Sequence, residues 1–233
     1  VYYRLSEGVL MADIWGALLT TDNGAPFITP QSIPLALIAK KTVSLPAGMT
    51  TIVTQSFTSG RPIIPFVCTT VKCVSSYSIS GTTCTVTLQY PDGSNGSADV
   101  YFFTIFAQSL PDWGIAIWDE KGVCILTNET RVLTDVESLG TSGSDTAGGY
   151  NINATKTGKW GILPSMCGMI TGVIIAGGTR PFQSQLFFTT LYNGTSTQIT
   201  IASTGGSPGG GVTNIQYHNM RNQVYALNLA NYD

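Results

Sequence analysis

Charge is what this chain of 233 residues has least of. Asp, Glu, Lys and Arg together make up 10% of it, where roughly 25% is usual for a globular domain. The 11 basic and 13 acidic residues are scattered and sum to a net charge of −2. Nucleic-acid binding needs a basic stripe, and the densest basic groups here, Lys40-Lys41 and Lys156 with Lys159, do not make one. A nucleic-acid partner is therefore not expected.

Histidine is nearly absent as well. His218 is the single one, which excludes a multi-histidine metal centre and leaves one candidate base for a Ser-His or Cys-His dyad. It stands in Q-Y-H-N-M-R-N-Q, read as the turn of a closing hairpin, where a surface-contact role suits it better than catalysis. The five cysteines, Cys68, Cys73, Cys84, Cys124 and Cys167, form no regular framework, and their number is odd. Cys68 and Cys73 lack the second pair that a zinc site requires. Buried thiols are the expected state, with a Cys73–Cys84 cross-strand bridge as the alternative.

Long apolar runs are missing. The longest, Met166 to Gly178, is broken by Gly168, Thr171 and Gly172 and is too short for a helix to cross a bilayer. The first ten residues, V-Y-Y-R-L-S-E-G-V-L, lack the apolar core and cleavage site of a secretory signal. Residues 1–11 read as an N-terminal extension. Cofactor motifs are also lacking. S-T-G-G-S-P-G-G-G, Ser203 to Gly211, has no P-loop lysine, and Asp92 to Gly96 lacks the spaced acids of an EF-hand. The acids Asp92, Asp99, Asp112, Asp119, Glu120, Glu129, Asp135 and Asp145 sit mainly in turns, with no pair placed for carboxylate hydrolysis. No enzyme activity, metal or cofactor is expected.

What the chain does have is apolar content, 43%, with 26 glycines and many Thr and Ser. No window carries a 3.6-residue apolar stripe, and Pro and Gly recur too often for long helices. Instead, short β-branched runs alternate with turns. Ile33 to Lys41 leads to the turn Leu45 to Gly48, and strands follow at Thr50 to Phe57 and Thr82 to Tyr90. Later strands are read at Ile170 to Ala176, Gln185 to Leu191 and Thr197 to Ala202, with a tight turn at Asn193-Gly194. The class is all-β.

The two halves open alike. W-G-A-L-L-T-T-D-N-G-A-P-F-I-T and W-G-I-A-I-W-D-E-K-G-V-C-I-L-T align Trp15, Gly16, Gly24 and Thr29 with Trp113, Gly114, Gly122 and Thr127 at one offset of 98 residues. Each reads as strand, tight turn, strand, with glycine where a positive φ is needed. The halves also end alike: Val86 to Tyr90 and Val100 to Phe106 read as one closing hairpin, Thr213 to Tyr217 and Val224 to Leu229 as another. The expectation is two β-sandwich-like domains with similar opening hairpins, at 12–110 and 111–233. Trp15, Trp113 and Trp160 each precede glycine, which suggests an indole packed over a bare backbone position. Trp118 is the expected exposed ring. The loops at 139–150 and 203–211 are expected to meet a partner.

The unit P-D-W-G-I-A-I-W-D-E-K-G-V-C-I-L-T-N-E-T-R, Pro111 to Arg131, resembles a pattern in small β-rich structural proteins of tailed bacteriophages. The matching residues are Trp113-Gly114, the turn at Asp119 to Gly122, Thr127-Asn128 and Arg131. Trp15 to Thr29 is similar but lacks the acidic-Thr-Arg ending. The resemblance implies a virion component of the tail tip, fibre or baseplate. It also implies a homo-oligomer, such as a trimer, bound to other virion proteins and in some cases to a host-surface glycan, with no catalytic residues to carry over. A chain so poor in charge fits a surface covered by neighbouring subunits. The alternatives are a capsid or tail-tube decoration protein, a carbohydrate-binding module and a carboxylate hydrolase.

Overall fold

The computed structural model describes residues 19–20, 26–28, 33–89, 93–141, 152–205, 208–219 and 223–233. By its internal contacts the chain falls into two units, residues 1–34 and 35–233. In the first, β1 (Leu19–Thr20) and β2 (Pro26–Ile28) form an antiparallel hairpin.

The second unit runs β3 (Ala36–Leu45), β4 (Thr51–Ser56), β5 (Ile63–Thr69), β6 (Val74–Ser80), β7 (Thr83–Gln89) and β8 (Gly96–Thr104). It continues with β9 (Ala116–Trp118), β10 (Cys124–Thr127), β11 (Val136–Gly140), β12 (Ala154–Thr157), β13 (Trp160–Ile162) and β14 (Met166–Ile174). The last strands are β15 (Arg180–Tyr192), β16 (Ser196–Ser203), β17 (Val212–Asn219) and β18 (Gln223–Asn228). No helix occurs among the described residues. The fold is all-β, with antiparallel sheets throughout.

A six-stranded sheet, β11-β18-β13-β5-β8-β3, lies at the centre of the packing. Its middle strands are apolar on both faces. Along β8, Ala98, Val100 and Phe102 enter one core while Tyr101 and Phe103 enter another. Such a run reads as nearly continuous hydrophobicity because period-two alternation then separates two cores and not core from water. One face is covered in two places. The three-stranded sheet β4-β7-β6 contributes Val53, Cys84, Val86 and Leu88 to a core with Leu45, Val67, Val100 and Phe102. The five-stranded sheet β12-β16-β15-β14-β17 contributes Ile170, Leu186, Phe188 and Ile199 to a core with Trp160, Ile162, Val224 and Ala226. On the opposite face, Phe66, Tyr101, Phe103, Leu227 and Leu229 are covered by Tyr232 and Leu133.

Two expectations are corrected here. The boundary at 110/111 does not divide the chain into separate bodies. β3, β5 and β8 share their sheet with β11, β13 and β18, joined where Ile162 pairs with Val67. Neither expected closing hairpin forms. β7 pairs with β4 and β6, while β8 pairs with β3 and β5. Likewise β17 pairs with β14, and β18 with β11 and β13. The reason is burial: β8 and β18 each place apolar side chains on both faces, and only a place inside the central sheet covers both.

Most local readings hold. The turn after β3 closes with Gly48 at φ 71° and a Met49 N–H bond to the Pro46 carbonyl. The β15–β16 hairpin turns at Asn193-Gly194, whose Asn193 Oδ1 accepts from the Thr195 and Ser196 amides at 3.0 and 2.8 Å. All five cysteines are free and buried, so the Cys73–Cys84 bridge is not formed. Burial pushes the Cys68, Cys73 and Cys167 thiols up to about 12 and Cys84 to about 11, which makes them poor nucleophiles.

Polar side chains also join strands of different sheets. The buried Thr69 amide donates to Thr190 Oγ1 at 2.8 Å, and Thr69 Oγ1 donates to the Thr190 carbonyl at 2.5 Å. The Cys73 amide donates to Thr189 Oγ1 at 3.3 Å. Threonine here satisfies buried backbone groups that would otherwise carry a desolvation cost.

Candidate functional site

The repeat residues of the second copy build a small projecting hairpin, β9–β10. Asp119 makes its turn: its Oδ1 accepts from the Lys121 and Val123 amides, both at 2.9 Å. Gly122 follows at φ 76°, as expected of the turn glycine. At the base, the Thr127 amide donates to Thr130 Oγ1 at 2.9 Å, and Thr130 Oγ1 donates to Gln108 Oε1 at 3.1 Å. Arg131 extends back to the end of the fold, its Nη1 donating to the Tyr232 carbonyl at 2.8 Å.

The register of this hairpin repeats in the first unit. Ile117 pairs with Leu126 and Trp118 with Cys124; at the same offset, Leu19 pairs with Ile28 and Thr20 with Pro26. Both ladders carry an irregularity at the same place. Trp15, Gly16, Gly24 and Thr29 themselves lie outside the described residues.

The Trp-Gly pair works differently from the expected indole over bare backbone. Trp113 is 82% exposed, so no packing there explains the glycine. Gly114 has φ 128°, and a Cβ on it would lie 2.1 Å from Asn128 Oδ1, the atom that accepts from the Ile115 amide. Backbone conformation and close approach require glycine. At Trp160-Gly161 the bare position receives Leu229 and Phe66 at 3.2 and 3.3 Å. Gly114→Ala is expected to strain the hairpin by about 2 kcal/mol. Limited proteolysis should then cut faster between residues 110 and 130 while the global urea midpoint barely moves, because no other described strand joins the β9–β10 sheet.

With its base fixed, the hairpin presents apolar groups to solvent: Leu110, Trp113, Ile115, Trp118 and Val123 are all exposed. Trp118, the ring expected at the surface, is 51% exposed. Five large apolar side chains within fourteen residues of a chain so short of charge form a contiguous stretch of sequence suited to contact.

His218 lies in β17, not in a turn. It pairs with Met169 on the neighbouring strand, and its Nε2 is 3.0 Å from Thr171 Oγ1. Its exposed position on the outer strand suits contact. Of the two expected contact loops, residues 142–150 and 206–207 lie outside the described residues.

Sequence reading does not find the charged cluster around Lys159, whose members are partly buried. Lys159 Nζ lies 2.5 Å from Asp99 Oδ2 and 3.0 and 3.1 Å from the two carboxylate oxygens of Asp233. Lys40 Nζ is 2.7 Å from Asp233 Oδ1, and the Tyr101 hydroxyl donates to that oxygen too. Burial opposes the Asp233 charge, but these three donors hold its carboxyl down at about 2. Burial likewise opposes the Lys159 charge, and its bonds to Asp99, Tyr101 and Asp233 more than offset this, holding the ammonium protonated. The members span residues 40 to 233, so no local motif could have shown them.

A cleft of about 320 Å³ beside this cluster is lined by Asp135, Glu137, Trp160, Asn228, Asn231 and Tyr232 among others. Its polar groups are largely engaged in the fold. Glu137 pairs with Lys156, Trp160 Nε1 donates to the Thr157 carbonyl, and the Tyr232 hydroxyl donates to the Val132 carbonyl. No group of three or more potential metal ligands occurs among the described residues. No family model, no curated protein and no solved structure matches this chain.

Proposed function

We propose that this chain is a structural component of a tailed-phage virion, in the tail, acting by self-association and docking and not by catalysis. The observation that carries the reading is the exposed apolar hairpin, Leu110 to Val123, on a protein whose charged residues are few. A free monomer has little reason to expose Trp113 at 82%, whereas a tryptophan buried at a subunit contact is a frequent anchor of binding energy. A second feature agrees. β17 is an outer strand of eight residues, V-T-N-I-Q-Y-H-N, without lysine, arginine or acid, the kind of strand to which a neighbour's strand adds.

In this reading the two halves are two sandwich-like lobes that share the six-stranded sheet. The three-stranded sheet covers one end of it and the five-stranded sheet the other. A capsid or tail-tube decoration protein would use the same contacts at another position in the particle.

The test is the mass of the full chain in solution across a concentration series. The wild type is expected to associate. The double variant Trp113→Ser, Trp118→Ser is expected to weaken that association by at least about thirtyfold, the loss for a central tryptophan contact. A wild type that stays monomeric at the highest concentration reached would count against the reading. The two exposed indoles on one short hairpin also favour a second reading, stacking on the sugar rings of a host-surface glycan. Glycan binding by the wild type that the same double variant loses, with unchanged mass, would favour it.

A further inference from the structure

The Lys159 cluster carries an inference independent of the proposed function. We propose that Lys159 and Asp99 condense to a side-chain amide, with Asp233 as the group that transfers the proton.

The arrangement meets the requirements of that reaction one by one. The nucleophile and the acyl group are in contact, Nζ to Oδ2 at 2.5 Å, and both side chains are largely shielded, at 15% and 17% exposure. Holding the reactants together replaces a bimolecular encounter with an intramolecular step. The other carboxylate oxygen, Asp99 Oδ1, accepts from Thr42 Oγ1 at 2.5 Å. That hydroxyl stabilises the oxygen on which negative charge develops. A second carboxylate, Asp233, reaches the same ammonium at 3.0 and 3.1 Å and is itself held by Lys40 and Tyr101.

The step balances without a further reactant. Asp233 accepts a proton from the Lys159 ammonium and passes it to Asp99 Oδ2, so that the amine is free and the Asp99 carboxyl is neutral. The amine attacks Asp99 Cγ, forming the N–C bond. A further proton leaves the new nitrogen for the Oδ2 hydroxyl, with Asp233 as its carrier. The Cγ–Oδ2 bond breaks and water departs. One ammonium and one carboxylate become one amide and one water, and Asp233 ends as it began. Because the cluster favours the protonated ammonium, the reactive amine is a minor form and the condensation is slow compared with folding.

Lys156 and Glu137, an ion pair outside the cluster, lack these features. They are in contact, but at 27% and 45% exposure and with no second carboxylate on the lysine among the bonds that Lys156 makes. No amide is expected there. The Lys159–Asp99 link would bridge residues on β8 and just before β13, which flank β5 in the central sheet. It would staple the two halves in a chain whose cysteines are all free.

The test is the intact mass of the full-length wild type, folded, held for increasing times and then denatured. The expected result is a mass one water below the sequence value, with one branched peptide joining the segments around Asp99 and Lys159. Lys159→Arg should keep the full mass, and Asp233→Ala should slow the loss on the order of a hundredfold, as removal of a general acid–base group does. A wild type that stays at its sequence mass overturns the proposal. So does a water loss that persists in Lys159→Arg, or one mapped to an aspartate–glycine succinimide such as at Asp92-Gly93. A link mapped to Asp233 in place of Asp99 overturns the assignment of roles.

Discussion

Replacing Phe103 by alanine is expected to remove about 4 kcal/mol of folding stability. Phe103 is fully buried on the side of the central sheet away from the two covering sheets. Its ring meets Phe66 edge-on at 5.9 Å and 86°, and Tyr232 at 5.0 Å and 87°. Truncation removes the ring's own burial and leaves both partners facing a cavity. Neighbouring strands cannot collapse into the space, because β8 is held by ladders to β3 on one side and β5 on the other. Urea unfolding measures the loss. Leu110→Ser, at an exposed position, should stay within about 0.5 kcal/mol of the wild type. Equal, small effects at both positions would refute the packing described for this face.

Removing Lys159 should have the next largest effect. In freshly folded protein, before the amide forms, Lys159→Ala leaves the largely shielded Asp99 and the more exposed Asp233 without their shared cation, at a cost of about 3 kcal/mol. Acid provides a separate readout. The folded-state value of Asp233, about 2, lies below its ordinary value of 3.8. A depressed folded value means that the native state binds the proton less readily than the unfolded chain. Its contribution is therefore complete above about pH 4 and is lost as pH falls towards 2. Urea midpoints measured across that range on freshly folded protein should drop in the wild type, and by less in Lys159→Ala, which has one donor fewer on Asp233. A wild type with a flat acid limb would show that the cluster does not hold the carboxylate.

The cluster also explains the path of the last residues. Arg131 donates to the Tyr232 and Asp233 carbonyls, and the Thr134 amide donates to the Tyr232 hydroxyl at 2.9 Å. Tyr232 is thereby placed over Phe103, so the hydrogen bonds and the aromatic contact support one another.

Local signals are legible because each acts over a few residues. Asn193-Gly194, Gly48 and Gly122 mark turns through backbone conformations that glycine and asparagine tolerate. Alternation in T-C-T-V-T-L-Q, Thr83 to Gln89, shows a strand with one face buried, and the burial of Cys84, Val86 and Leu88 agrees. The repeat at offset 98 is legible down to the hairpin, and its strand register recurs in both copies. Reading sequence neighbours as partners fails at both closing hairpins. V-Y-F-F and V-Y-A-L look like the second arms of hairpins, yet each strand's apolar residues on two faces commit it to the central sheet. The role of glycine after Trp113 is hidden from the sequence too, because only the position of Asn128 reveals the crowding.

By itself, then, the order of residues determined the all-β class, the turns, the paired hairpins and the shortage of charge. These depend on φ preferences and period-two patterning within some ten residues. Only the tertiary structure decided which strands became neighbours, that Thr69 would meet Thr190, and that Lys159 would lie between Asp99 and Asp233. Burying both faces of the central strands is a condition on the whole chain. Contacts between residues a hundred positions apart follow from meeting it and leave no mark in the local pattern.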